Sequence, residues 1–115
     1  MLVPVAPVGQ LVVGMRRVVT VGDRRILVLV EDDGPHAVLD ACPHHGASLR
    51  DGRWSRATIE CPWHGWVFDV RTGKCLHGPS RAATFPVVAV DGTWQVDLPD
   101  EVNLPDEAAA TPGRS

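Results

Sequence analysis

The chain has 115 residues, a formal net charge of −3 and a hydrophobic fraction of 44%, as expected of one small globular domain. Its negative charge comes from the acidic residues between positions 100 and 107, and the remainder is electrically neutral, so no basic nucleic-acid-binding stripe exists. The longest apolar runs are far below the ~20 residues of a membrane helix, and residues 1–8 lack the pattern of a secretory signal. We therefore expect a cytoplasmic protein that binds neither nucleic acid nor membrane.

Turn-forming residues recur about every ten positions, a spacing typical of a small all-β protein. The predicted strands, in chain order, are 25–30, 36–40, 57–60, 66–70, 87–90 and 93–98. The last two flank Asp91 and Gly92, a favoured two-residue hairpin turn, and Trp94, Val96 and Leu98 alternate with polar residues as on a buried face. Residues 99–115 are rich in proline, alanine and acids, which predicts a flexible acidic tail.

Two short segments each pair one cysteine with one histidine. The first begins at Cys42 and has Cys-x-His spacing to His44; the second begins at Cys61 and has Cys-x2-His spacing to His64. Two thiols and two imidazoles on two turns indicate a metal site, either one tetrahedral zinc or a two-iron, two-sulfur cluster. Zinc modules usually present like pairs of ligands, which favours the cluster.

Both segments resemble the two cluster-binding boxes of Rieske proteins. The resemblance continues through residues 66–69, 72–76 and 78–79, and covers about residues 5–98. It implies an all-β, Rieske-like fold of small antiparallel sheets, with a cluster-binding subdomain formed by two loops. The domain would span residues 1–98 and be followed by the tail 99–115. The cluster-binding loops would be 42–49 and 61–66, and loop 78–80 would cover the cluster.

The resemblance also implies the ligands of one Rieske-type [2Fe-2S] cluster. Cys42 and Cys61 would hold the inner iron as thiolates, and His44 and His64 would hold the outer iron as neutral imidazoles. The oxidised centre would then be neutral, whereas four thiolates would leave it at about −2, and a neutral centre accepts an electron more readily. Cys75 is expected to be a packed thiol rather than a ligand.

The sequence departs from respiratory Rieske proteins at four positions. Ala47 and Trp63 stand where those proteins have a disulfide that braces the loops, so this disulfide cannot form. Trp66 and Phe68 stand where a serine and a tyrosine donate hydrogen bonds to the cluster, and the chain contains no tyrosine. Fewer donors stabilise the reduced cluster less, which indicates the low-potential, ferredoxin-like branch.

The function implied is that of a one-electron carrier in a multicomponent dioxygenase system. It would pass electrons from a flavin-dependent reductase to the terminal oxygenase, a Rieske non-haem iron oxygenase. A Rieske oxygenase also needs a mononuclear iron site. The remaining histidines have no suitably spaced partners for one, so we expect no enzyme activity; they are His36, His45 and His77. We expect a monomer that docks transiently through its cluster tip. Two alternatives are the small subunit of an assimilatory nitrite reductase and a zinc-stabilised structural module.

Overall fold

The computed structural model describes residues 1–42, 48–62 and 65–99. These residues form strands and two short 3₁₀ turns and contain no α-helix, which confirms the all-β prediction. No helix in the described part is long and apolar enough to cross a membrane. The strands are β1 (Leu2–Pro7), β2 (Arg16–Val21), β3 (Arg24–Glu31), β4 (Gly34–Leu39), β5 (Arg53–Ser55), β6 (Thr58–Glu60), β7 (Val67–Asp69), β8 (Thr84–Phe85), β9 (Val87–Val90) and β10 (Thr93–Asp97). The 3₁₀ turns are Val8–Gln10 and Leu49–Asp51.

The strands form three antiparallel sheets. One has the order β1-β10-β9, a larger one has the order β2-β3-β4-β8, and a small one has the order β5-β6-β7. Each described pairing between neighbouring strands is antiparallel. The predicted arrangement of small antiparallel sheets is therefore confirmed, and the small sheet carries the second cysteine box at the end of β6.

The predicted hairpin between β9 and β10 is present. Its central residues Asp91 and Gly92 have φ angles of +52° and +79°, so both adopt the left-handed conformation that suits the twist of a two-residue hairpin. Val96 and Leu98 are each 1% exposed, as the alternating pattern predicts. Trp94 differs from this prediction, because it is only half-buried and lines a surface groove beside Phe85.

Four strands of the structure are absent from the sequence-based prediction: β1, β2, β5 and β8. β1 contains Pro4 and Pro7, which usually argue against a strand. Its position explains them, because β1 is the edge of its sheet and needs backbone donors on one side only. β5 and β8 have three and two residues, too few to show an alternating pattern.

Strand β3 separates two apolar cores. Leu27 and Leu29 pack into the core that includes both box cysteines, whereas Ile26 and Val28 pack into the core that includes Phe85 and the end of β10. All four side chains are 0% exposed. Because successive residues of a strand point to opposite faces, this one strand connects the cysteine-bearing region to the rest of the fold.

The two ends of the described domain meet. The amide of Leu98 donates to the carbonyl of Met1 at 2.9 Å, and the amino group of Met1 donates to the carbonyl of Leu98 at 2.7 Å. Residues 100–115, which make up nearly all of the predicted tail, lie outside the described residues. The domain boundary at residue 98 therefore stays a prediction.

Candidate metal centre

The two box cysteines lie in one apolar core. Cys42 follows the end of β4 by three residues and is 2% exposed, and Cys61 follows β6 directly and is 1% exposed. Both pack in the core cluster with Leu49, Ile59 and Phe68, which are each 0% exposed. The fold thus brings together two thiols that are distant in sequence, in a site that excludes water.

The second box begins with a closed turn. The amide of Cys61 donates to the carbonyl of Trp66 at 2.7 Å, and the amide of Gly65 donates to the carbonyl of Cys61 at 3.0 Å. Gly65 has a φ of +73°, which side chains with a Cβ rarely adopt. The backbone of this turn therefore favours glycine at position 65.

The first box is held by a buried carboxylate that sequence reasoning missed. Asp40 accepts hydrogen bonds from the Ser48 hydroxyl at 2.8 Å and from the backbone amide of Arg50 at 2.8 Å. Its carboxylate also lies 3.4 Å from a guanidinium nitrogen of Arg25. Arg16 donates to the carbonyls of Arg50 and Gly52 in the segment that follows. The only sequence signal for these contacts is the presence of an aspartate two residues before Cys42.

A third segment packs beside the second box. Cys75 is 2% exposed in the same core, as expected of a packed thiol, and its sulfur accepts a bond from the His77 amide at 3.4 Å. The Trp66 ring meets the His77 ring edge-on, with centroids 6.4 Å apart. A Cβ at Gly78 would also lie 3.5 Å from the Trp66 ring. Loop 78–80 therefore lies next to the turn of the second box.

An ion pair joins the large sheet to the small one. The Asp33 carboxylate, in the turn between β3 and β4, lies 3.0 Å from Nε of Arg71, which follows β7. Asp33 also accepts a hydrogen bond from His36 at 2.8 Å. The Arg71 guanidinium, and after it the His36 ring, hold the pKa of Asp33 well below its usual range. The same carboxylate raises the pKa of Arg71.

Comparison with known proteins places this geometry in a family. The Rieske [2Fe-2S] domain family matches residues 1–93 of the chain. The chain belongs to the Rieske [2Fe-2S] domain family. Proteins of this family bind a [2Fe-2S] cluster, and that cluster is the cofactor of this domain.

Several relatives share this Rieske domain. Apoptosis-inducing factor 3 of Mus musculus is 46% identical over 61 residues, which are 52% of this chain and 10% of that protein. The 3-phenylpropionate/cinnamic acid dioxygenase ferredoxin subunit of Photorhabdus laumondii is 41% identical over 68 residues, which are 56% of this chain and 65% of that protein. The chain therefore spans about a tenth of the first of these curated relatives and just under two thirds of the second.

Solved structures show the same fold. A chain from the complex of reduced oxygenase and oxidised ferredoxin in carbazole 1,9a-dioxygenase superposes with a TM-score of 0.74 at 32% identity, covering 83% of this chain and 100% of that one. A Mycobacterium tuberculosis protein described as a putative NADH-dependent nitrite reductase small subunit gives a TM-score of 0.70 at 24% identity. The match covers 84% of this chain and 93% of that one. The second likeness shows the shared Rieske fold alone.

The described residues fit a Rieske cluster. All three cysteines of the chain are described, and none forms a disulfide. The two box thiols are buried in one core, as soft ligands of a water-excluded iron should be. The predicted ligands His44 and His64 lie outside the described residues, as do Ala47 and Trp63. Within the described ranges, no group of three or more His, Cys, Asp or Glu side chains is assembled around a metal site.

Proposed function

We propose that this Rieske domain is a ferredoxin that carries one electron from a flavin-dependent reductase to a terminal oxygenase. The observation that carries the proposal is the pair of buried thiols, Cys42 and Cys61, held in one core by two cysteine-histidine boxes. Its match to the full length of a chain from an oxygenase and ferredoxin complex supports the same role. A carrier needs only this site, because electron transfer requires no substrate pocket.

The ligand set is part of the proposal. Cys42 and Cys61 supply thiolates to one iron, and His44 and His64 supply imidazoles to the other. The burial of both thiols supports the assignment of the inner iron to the cysteines. When bound, the cluster supplies reversible one-electron chemistry. The chain fixes the thiols and excludes water from them through Leu49, Ile59 and Phe68.

The partners would dock over the cluster tip. This surface is defined by loops 43–49, 62–66 and 78–80, and its described part presents exposed residues such as Pro62 and Pro79. Leu76, just before loop 78–80, is 57% exposed. Small exposed apolar groups of this kind suit a transient contact, in which a partner must bind and leave quickly.

We place the carrier in the cytoplasm, as a monomer, with residues 1–98 as the domain and 99–115 as an acidic tail. Cysteines that bind metal rather than form disulfides are typical of a reducing compartment, which supports this location. The contacts between Met1 and Leu98 support a domain that closes on itself near residue 98.

Stopped-flow electron transfer tests the function. The purified protein is reduced by a flavin reductase encoded near its gene and then mixed with the neighbouring oxygenase component. We expect reduction and reoxidation in single steps, with product formed only when all three components are present. If the oxygenase is not reduced while a nitrite reductase large subunit is activated, the protein is a nitrite reductase subunit. A colourless protein with one zinc would be a structural module, because zinc has a filled d shell.

A further inference from the structure

Asp40 carries a buried carboxylate next to the first cysteine box. Its described side-chain contacts are with Ser48, the Arg50 amide and Arg25. Its side chain is 0% exposed. A buried charge is costly unless it is paired and hydrogen-bonded, and Asp40 is both. Ser48 donates to its two oxygens at 2.8 and 2.9 Å, the Arg50 amide donates at 2.8 Å, and Arg25 supplies the opposite charge.

These contacts join the two described ends of the first box. Asp40 stands two residues before Cys42, and Ser48 stands six residues after it, so the carboxylate joins the chain entering the box to the chain leaving it. Leu49 follows Ser48 and is anchored at 0% exposure in the same core as Cys42. Hydrogen bonds to a charged group are stronger than those between neutral groups, which suits them to this task.

Arg16 also binds the segment that follows the first box. It donates to the carbonyl of Arg50, whose amide donates to Asp40, so both polar backbone groups of one residue are bound by charged side chains. Arg16 in turn lies over the Trp54 ring at 5.6 Å, and the Trp54 indole donates to the buried Glu31. The exit of the first box is therefore tied to both the large sheet and the small one.

We propose that Asp40 is a positioning residue that fixes the first box and so sets where Cys42 presents its thiolate. It is a non-covalent brace in a chain that lacks the disulfide cysteines at positions 47 and 63. The inference rests on the proposed ligand role of Cys42. Asp40 does not touch the cluster in this role and acts through Ser48 and Arg50.

The test compares Asp40→Asn and Ser48→Ala with Asp51→Asn in the purified full-length protein. Asp51 is an exposed aspartate next to Arg50, so its variant makes the same charge change without the brace. We expect the Arg50 amide in Asp40→Asn to exchange with deuterium about tenfold faster or more, the effect of losing a charged hydrogen bond. The Val28 amide, in the other core, should accelerate by a clearly smaller factor. Asp40→Asn should also lose its cluster faster than the wild type on mild heating, and its midpoint potential and EPR g-values should differ from those of the wild type.

Ser48→Ala removes one donor only and should give a smaller change in the same directions, which keeps the test valid if Asp40→Asn fails to fold. Wild-type Arg50 exchange and wild-type potential in both variants would overturn the proposal. Equal acceleration at Arg50 and Val28 would also overturn it, because Asp40 would then stabilise the whole fold rather than the box. The exchange at Arg50 does not depend on which residues bind iron, so failure of the ligand assignment would be seen separately in the iron content of Cys42→Ser.

Discussion

Gly52 lies directly against the backbone of Glu60, so that a Cβ at Gly52 would be 1.7 Å from the Glu60 carbonyl oxygen. The φ of Gly52 is −85°, which any residue can adopt, so the demand for glycine here is one of space. Gly52 follows the first box, and Glu60 immediately precedes Cys61. This close approach therefore joins the segment that follows the first box to the strand that leads into the second.

Gly52→Ala should destabilise the protein by about 3 kcal/mol, because the new methyl group overlaps backbone that cannot move freely. Thermal unfolding followed by circular dichroism measures the change. Gly9→Ala is the control, since no atom lies within 4 Å of its Cβ position, and it should change stability by less than ~0.5 kcal/mol. Equal melting temperatures for both variants would mean that the boxes can separate at little cost.

The purified protein should contain two irons and two labile sulfides per chain. Cys42→Ser and Cys61→Ser should each abolish cluster assembly, because a serine oxygen is a poor substitute for a thiolate on iron. Cys75→Ser is the matched control: it changes a cysteine of the same core and should retain the cluster and its visible absorbance. One zinc and no sulfide in the metal analysis would contradict the ligand assignment.

The midpoint potential should lie near the low end of the Rieske range, about −150 mV. Phe68 occupies a position where related proteins of higher potential carry a hydroxyl donor, and it is 0% exposed. Phe68→Tyr should raise the potential, because an added donor stabilises the more negative reduced cluster. Val70→Thr adds a hydroxyl to another buried residue of the same core and should not raise it. Protein-film voltammetry checks both, and a strongly positive wild-type potential would be inconsistent with the low-potential branch.

Docking should depend on charges near the cluster tip. Arg50→Glu or Arg81→Glu should change the association rate with the oxygenase and its salt dependence, since both side chains are exposed. Arg17→Glu is the control, because Arg17 follows Arg16 in β2 and so points to the opposite face, where it reaches the Val5 carbonyl. Deleting residues 100–115 should leave the cluster and its potential unchanged. A tenfold loss of rate on this deletion, with no effect at either arginine, would place the contact elsewhere.

The carboxyl of Asp33 should titrate well below the usual aspartate range. Since its pKa is lowered in the folded protein, the stabilisation from the pair with Arg71 is complete above the ordinary aspartate pKa and is lost only as the pH falls further. Arg71→Gln should raise the pKa of Asp33 towards its ordinary value, with His36 still lowering it in part. Carbon-detected NMR titration measures this shift, and Lys74→Gln, which removes an exposed cation nearby in sequence, should not reproduce it.

Sequence patterns predicted the parts of this fold that depend on local chemistry. The hairpin at Asp91 was predictable because two adjacent residues must adopt positive φ, and the Rieske family was predictable because the spacing of the two boxes is specific. Strand β1 could not be predicted, because its prolines become acceptable only at a sheet edge. The role of Asp40 was not predictable either, since its function depends on Arg25 and Ser48, whose proximity exists only once the chain has folded.

Because β3 is shared by the two cores, the visible absorbance of the cluster should report on the folding of the whole domain. Leu27 and Leu29 support the cysteine site, and Ile26 and Val28 on the same strand support the opposite core. Neither core can melt without exposing one face of β3, so the two halves should unfold together as a single cooperative unit. Bleaching of the cluster during denaturation should then coincide with the loss of β-sheet signal, and one optical measurement would follow both events.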